Sequence, residues 1–161
     1  RVALDGLAAS EVPPLAEISG SGPDDVWITS ERDFVAHYDG ESWSQVDLSS
    51  VSVDGLSHLV ATDDGGLWAY RDQTLVHFDG DAWEEHALST QLRSLEMGPR
   101  GRLWAVSGGP TNLPNEVLMR TGDSWQSQWT GLASIHGFAI GPDGRAWAVS
   151  GSNVVGKQLS P

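Results

Sequence analysis

The 161-residue chain contains no cysteine. A disulfide framework, a thiolate zinc site and a cysteine nucleophile are thereby excluded, and the redox compartment is left open. Basic side chains are scarce, with nine Lys and Arg against 22 Asp and Glu and a formal charge of −13. Phosphate backbones and anionic lipid surfaces would be repelled unless a local basic patch intervened, so nucleic acid is a poor partner. Long apolar runs are missing as well. None approaches the roughly 20 residues that a membrane-spanning helix requires, and no signal peptide opens the chain. The first residue is Arg1 rather than Met, as in a processed or excised product. What remains is a chain of one-domain length whose 39% hydrophobic content suits a globular core rather than disorder.

The chain does have internal repetition. The phrase "VWITSERDFVAHYDGESW" at 26–43 returns as "LWAYRDQTLVHFDGDAW" at 67–83. Anchored on Trp27, Trp68, Trp104 and Trp147, the preceding stretches "LAEISGSGPDDVW", "LSHLVATDDGGLW", "LRSLEMGPRGRLW" and "IHGFAIGPDGRAW" align without a gap. Each has alternating apolar positions, then a Gly, Pro and Asp cluster, which reads as a strand and a hairpin. The segments after the turn, "VWI", "LWA", "LWA" and "AWA", are apolar on both faces, as when one sheet packs between two others. A third strand ("FVAHYDG", "TLVHFDG", "EVLMRTG") and a fourth ("SWSQVDL", "AWEEHAL", "SWQSQWT") complete the unit.

Four short antiparallel strands per unit, with anchoring tryptophans 36 to 43 residues apart, predict an all-β fold. Its architecture is a β-propeller of about four four-stranded blades, forming a small closed ring or part of a larger or shared one. The repeats run over approximately 15–48, 56–88, 92–130 and 135–161 of a single domain. The last stops before its outer strand, and residues 1–4, "RVAL", resemble the end of such a strand. They are expected to close the last blade beside 154–159; an incomplete blade would otherwise leave an edge that favours association between copies.

The "D-G-x-(L/V)-W" hairpins "GPDGRAWAVS" at 141–150 and "DDGGLWAY" at 63–70 carry a family resemblance. The units resemble bacterial propeller repeats of the two-component regulator propeller and streptogramin-lyase-like kind. That resemblance covers nearly all of the chain, and its motif is structural. It implies an extracytoplasmic or secreted setting in a sensor, a scaffold or, in a few cases, an enzyme; shared blades imply little about activity.

Recurrent Trp27, Trp68, Trp104 and Trp147 are read as core rather than as sugar-stacking faces. Trp43, Trp83 and Trp125 follow the outer turn and pin it, whereas Trp129 has no counterpart and is the candidate for a surface contact. The acidic pairs Asp39 and Glu41, Asp63 and Asp64, and Asp79 and Asp81 lack the ligand order of a calcium loop and are assigned to turn chemistry. The stretch "GSNVVGKQ" at 151–158 imitates a phosphate-binding loop, but Gln158 replaces the metal-binding hydroxyl and no helix can follow. His37 and His77 occupy equivalent strand positions and are structural. No cofactor and no metal are called for.

Eleven residues before each anchor stand Ala16, Ser57, Arg93 and His136, and ten before stand Glu17, His58, Ser94 and Gly137. Polar identity changes there while the apolar frame stays constant, as at a ligand-binding ring on the propeller axis or at plain solvent exposure. Glu17, Ser57, His58, Arg93, Ser94 and His136 are the candidate ligand-binding residues. The preferred reading is a non-catalytic module for a small polar ligand or a protein partner, in which the irregular hairpin at 107–116 also offers contacts. Enzymatic activity is the runner-up: a metal-assisted lyase or lactonase using Glu17, His58 and His136. An inert repeat of a larger surface protein is the third.

Overall fold

The computed structural model describes all residues except 1–3, 5, 8–11, 31–33, 53–54, 109–114 and 160–161. The fold is all-β. Among the described residues fifteen strands form four antiparallel sheets with the strand order of propeller blades, and the single helical element is the 3-10 turn Pro99–Gly101. Among the described residues no helix is long and apolar enough to cross a membrane. The chain divides into two compact units, Arg1–Ala87 and Leu88–Pro161, each holding two blades.

In the first unit, one blade comprises β1 (Leu15–Gly22), β2 (Asp25–Ser30), β3 (Val35–Tyr38) and β4 (Trp43–Gln45), and the other β5 (Ser57–Ala61), β6 (Leu67–Arg71), β7 (Thr74–Phe78) and β8 (Trp83–Ala87). Strand alternation sends Trp27 of β2 to one face of its sheet and Ala69 of β6 to the opposite face of the next one. A large ring therefore meets a floor of small and aliphatic groups. Trp27, 0% exposed, packs with Val35 against Leu56, Leu59, Ala61, Leu67, Ala69 and Val76, with Phe78 edge-on at 5.6 Å. Polar contacts reinforce this packing, because Glu17 Oε2 accepts the backbone N–H of Leu59 at 3.0 Å and Ser19 Oγ that of Ala61 at 3.0 Å.

The second unit repeats the arrangement with β9 (Leu92–Gly98), β10 (Arg102–Ser107), β11 (Asn115–Thr121) and β12 (Ser124–Leu132) in one blade and β13 (Gly137–Ile140), β14 (Arg145–Ser150) and β15 (Asn153–Gln158) in the other. Trp104, 4% exposed, is buried with Val117, Met119 and Leu132 against Ala146, Ala148 and Leu159. The last sheet has three strands among the described residues. The 151–158 stretch is mostly the strand β15, which removes any phosphate-loop reading.

Two core assignments change. Trp147 is 43% exposed, because the last blade buries only its Ala146 and Ala148 face while the Trp147, Val149 and Val154 side stays open. Its ring lies against Gly156, where a Cβ would come within 2.8 Å of Cζ3, and below the Arg145 guanidinium at 5.6 Å. Trp68 is half-buried and stacks on His77 at 3.9 Å, as Trp27 stacks on His37 at 4.2 Å. Of the expected closing strand, residues 1–3 lie outside the described residues. Leu4, with Leu7 and Val12, packs on the first blade against Ile28, Phe34, Ala36 and Trp43.

Turns follow the sequence chemistry. Asp39 Oδ1 accepts the N–H groups of Glu41 and Ser42 at 2.9 and 2.8 Å, and Asp79 Oδ1 those of Asp81 and Ala82 at 2.9 and 2.8 Å. These bonds hold both carboxyls below the usual carboxylate range. Gly40 and Gly80 follow at φ +95° and +101°, a region closed to most side chains. The outer-turn tryptophans pack as expected, Trp43 on Tyr38 at 5.4 Å and Trp83 on Phe78 at 4.9 Å.

Truncating Trp27 to Ala empties a fully enclosed site and is expected to cost about 3–5 kcal/mol, whereas Trp147→Ala should cost about 1 kcal/mol or less. Chemical denaturation of the two variants checks this; equal losses would mean that the Trp147 face is as enclosed as the Trp27 face.

Candidate functional site

Within the first unit, the start of each inner strand is irregular. The pairing of β1 with β2 shifts register between Leu15 and Glu17, and that of β5 with β6 between Ser57 and Val60. His58 lies in this second irregularity at φ +55°, a left-handed conformation rare for a residue with a Cβ. Its imidazole is exposed and stacks parallel to Tyr70, 5.0 Å between centroids. Ser57 Oγ donates to the carbonyl of Tyr70 at 3.3 Å. The half-buried Glu17 carboxylate is already engaged by Leu59 N–H.

Within the second unit, Ser94 pairs with Val106 and Leu92 with Ser107, leaving Arg93 out of register as the bulged residue. Arg93 is exposed and its side chain lies close over Gly108, so that a side chain at 108 would have to displace it. Ser94 Oγ is buried without a hydrogen-bond partner. His136 precedes β13, exposed, with its backbone N–H on Val149 O at 2.8 Å and its Nε2 3.4 Å from Ser134 Oγ. The six polar positions are thus divided between the units, three in each. Trp129 is half-buried and packs against the Trp104 cluster, so part of its ring serves the core. The 107–116 hairpin is described only at its ends, where Ser107 Oγ accepts the Glu116 N–H at 3.2 Å; residues 109–114 lie outside the described residues. Among the described residues no three His, Asp or Glu side chains gather as a metal-binding group.

A different column of the repeat carries the tightest polar cluster. Two residues before the anchoring tryptophan stand Asp25, Gly66, Arg102 and Arg145. The Asp25 carboxylate accepts Ser21 Oγ–H at 2.6 Å, Trp27 Nε1–H at 2.9 Å and His37 Nε2–H at 2.7 Å. Burial acts to raise its pKa, but the hydrogen bonds from Ser21, His37 and Trp27 outweigh it and hold the carboxyl below its ordinary value. Glu96, which faces Trp104 across the β9–β10 ladder, has no such donors, and burial pushes its carboxyl up.

A groove of about 270 Å³ opens in the second unit between the turns 99–102 and 142–144, lined by Arg100, Arg102, Trp104, Asp143 and Gln158 among others. Sequence reasoning missed it. The signal was present in the alignment, where a carboxylate in the first repeat is replaced by arginine in the third and fourth.

No family model and no curated protein sequence matches the chain. Solved structures do. A structure of YCF48 bound to D1 peptide superimposes with a TM-score of 0.68 at 16% identity, over 96% of this chain and 53% of that one. Virginiamycin B lyase from Staphylococcus aureus gives 0.60 at 15% identity, over 86% and 53%. The extracellular domain assigned to a one component system of B. thetaiotaomicron gives 0.58 at 13% identity, over 85% and 20%. At these identities the likeness establishes the propeller fold. The chain spans about half the length of the first two structures and a fifth of the third.

The Asp25 cluster gives a pH signature. A carboxyl whose folded pKa lies below its unfolded value stabilises the fold above the unfolded value, and that contribution disappears as pH falls through the folded one. Asp25→Asn should therefore melt below the wild type at neutral pH, with the gap closing below about pH 4. A gap independent of pH would assign the loss to packing instead.

Proposed function

We propose that the chain is a non-catalytic binding module, presenting the bulged starts of its inner strands to a small polar ligand or a protein segment. One observation carries this reading: the positions where polar residues vary in the sequence are those where register breaks, at Glu17, at Ser57 and His58, and at Arg93. Bulges turn side chains away from the regular pleat, and they accumulate next to binding sites. Arg93 is exposed at its bulge and His136 is exposed just before β13, where the pairing is regular, on a frame whose packing positions stay apolar. The solved YCF48 structure carries a peptide, which supports peptide binding by this fold. A sensor or surface protein outside the cytoplasm is the setting that agrees with the extracellular propeller of similar fold.

Selection of a random peptide library on the immobilised domain tests the proposal, each selected peptide being measured again on the Arg93→Ala/His136→Ala double variant. Binding is expected to weaken by about 10-fold or more with an unchanged melting curve, as for the loss of exposed polar anchors. Unchanged affinity would overturn the assignment to the inner strands. Turnover of virginiamycin B that disappears in Glu17→Gln would overturn the non-catalytic reading.

A further inference from the structure

The first and third repeats differ in one exchange of charge beside the same tryptophan. In the first, the Asp25 carboxylate stands in front of the Trp27 indole N–H, with Ser21 and His37 as further donors. The corresponding positions in the third repeat hold Arg102, Trp104, Gly98 and Met119. No carboxylate takes the Asp25 place. The Trp104 indole N–H is buried and has no acceptor among the described residues, an arrangement that is costly unless something completes it. The indole comes so close to Gly98 that a Cβ there would lie 2.5 Å from Nε1. Arg102 turns one guanidinium nitrogen to Met119 Sδ at 3.8 Å, a weak acceptor, and among the described residues neither Arg100 nor Arg102 forms an ion pair.

These groups share one concavity. Arg100, Arg102 and Trp104 all line the 270 Å³ groove of the second unit. Arg100 is exposed and held at φ +66°, a conformation that costs energy in a residue with a Cβ. Asp143, an acid of the groove, gives one oxygen to its turn, its Oδ1 accepting the Arg145 N–H at 3.0 Å. Two guanidinium side chains and the Trp104 residue therefore line a space large enough for one side chain, with the unpaired indole N–H buried at its wall, on a protein of net negative charge.

We propose that this groove binds a peptide carboxylate, either a Glu or Asp side chain or a free C-terminus, which takes beside Trp104 the place that Asp25 takes beside Trp27. The ligand oxygens accept from the Trp104 indole N–H and from the Arg102 guanidinium, whose planar fork suits a carboxylate, and Arg100 adds charge at the lip. This site is distinct from the bulged inner strands and stands or falls without them.

The test follows the Trp104 indole resonance in ¹⁵N-labelled protein, assigned by its loss in Trp104→Phe. Three acetylated pentapeptides serve as probes: one amidated with a central glutamate, one amidated with a central glutamine, and one neutral in its side chains with a free C-terminus. Saturable movement of the Trp104 signal is expected with at least one carboxylate peptide and not with the glutamine peptide. Which of the two binds identifies side chain or terminus as the ligand. Arg102→Gln should weaken binding by about 10-fold or more, as expected for a charge-assisted contact. Arg102→Asp should install the first repeat's arrangement, melt above Arg102→Gln and lose the peptide. No saturable shift up to about 10 mM, an affinity too weak for recognition, would overturn the proposal. So would an equal response to the glutamine peptide, or wild-type affinity in Arg102→Asp.

Discussion

The nesting of a tryptophan face on an alanine face is the contact on which the rest of the molecule depends. Three of the four central strands follow the anchoring tryptophan with an alanine, as in Trp68 and Ala69, Trp104 and Ala105, and Trp147 and Ala148. Period-two alternation then gives those sheets one bulky and one shallow side. Stacking bulky on shallow fills the space between blades at close to crystalline density, which two tryptophan faces or two alanine faces could not do. Trp27 over Ala61 and Ala69, and Trp104 over Ala146 and Ala148, realise the same solution in the two units. Within each unit the direction is the same, since the first blade offers its tryptophan to the second.

Polar groups are distributed around this contact rather than within it. Inner strands are sheet edges whose outward N–H groups need acceptors, and in the first unit Glu17 and Ser19 supply them to Leu59 and Ala61. A carboxylate that reads as catalytic in the sequence thereby acquires a backbone partner. Beside the tryptophan a second polar position is tuned repeat by repeat. Asp25 closes it with an internal carboxylate, while beside Arg102 the buried Trp104 indole N–H has no acceptor among the described residues. The apolar frame tolerates the exchange because both residues lie at the rim of the ring, where the hairpin meets solvent.

The fold was legible in the chain because repetition removes ambiguity: one Trp, one Gly-Asp turn and one alternating strand, recurring in register, exclude a helical reading and match few architectures. Asp39 and Asp79 as turn residues, and His37 and His77 as rings that serve the packing, were legible for the same reason. Local hydrogen bonding and nearest-strand pairing depend on residues close in sequence. The burial of Trp147 was not legible. Its position in the repeat equals that of Trp104, and only the presence or absence of a covering sheet separates an enclosed ring from one that is 43% exposed.

The candidate site divides along the same line. Sequence alone singled out Glu17, Ser57, His58, Arg93, Ser94 and His136 as the variable polar positions of a constant frame. It could not show that register breaks beside them, since a bulge arises from the pairing of two strands and not from either one. Nor could it show the groove at Arg100, Arg102 and Trp104, for an arginine in a turn is ordinary until tertiary structure buries the indole N–H beside it without an acceptor. Composition and period determined that this protein is an all-β propeller chain, poor in positive charge and free of thiol chemistry. The tertiary structure decided which of its equivalent residues are enclosed and which donors are left unpaired, because burial and hydrogen-bond satisfaction are set by neighbours distant in the chain.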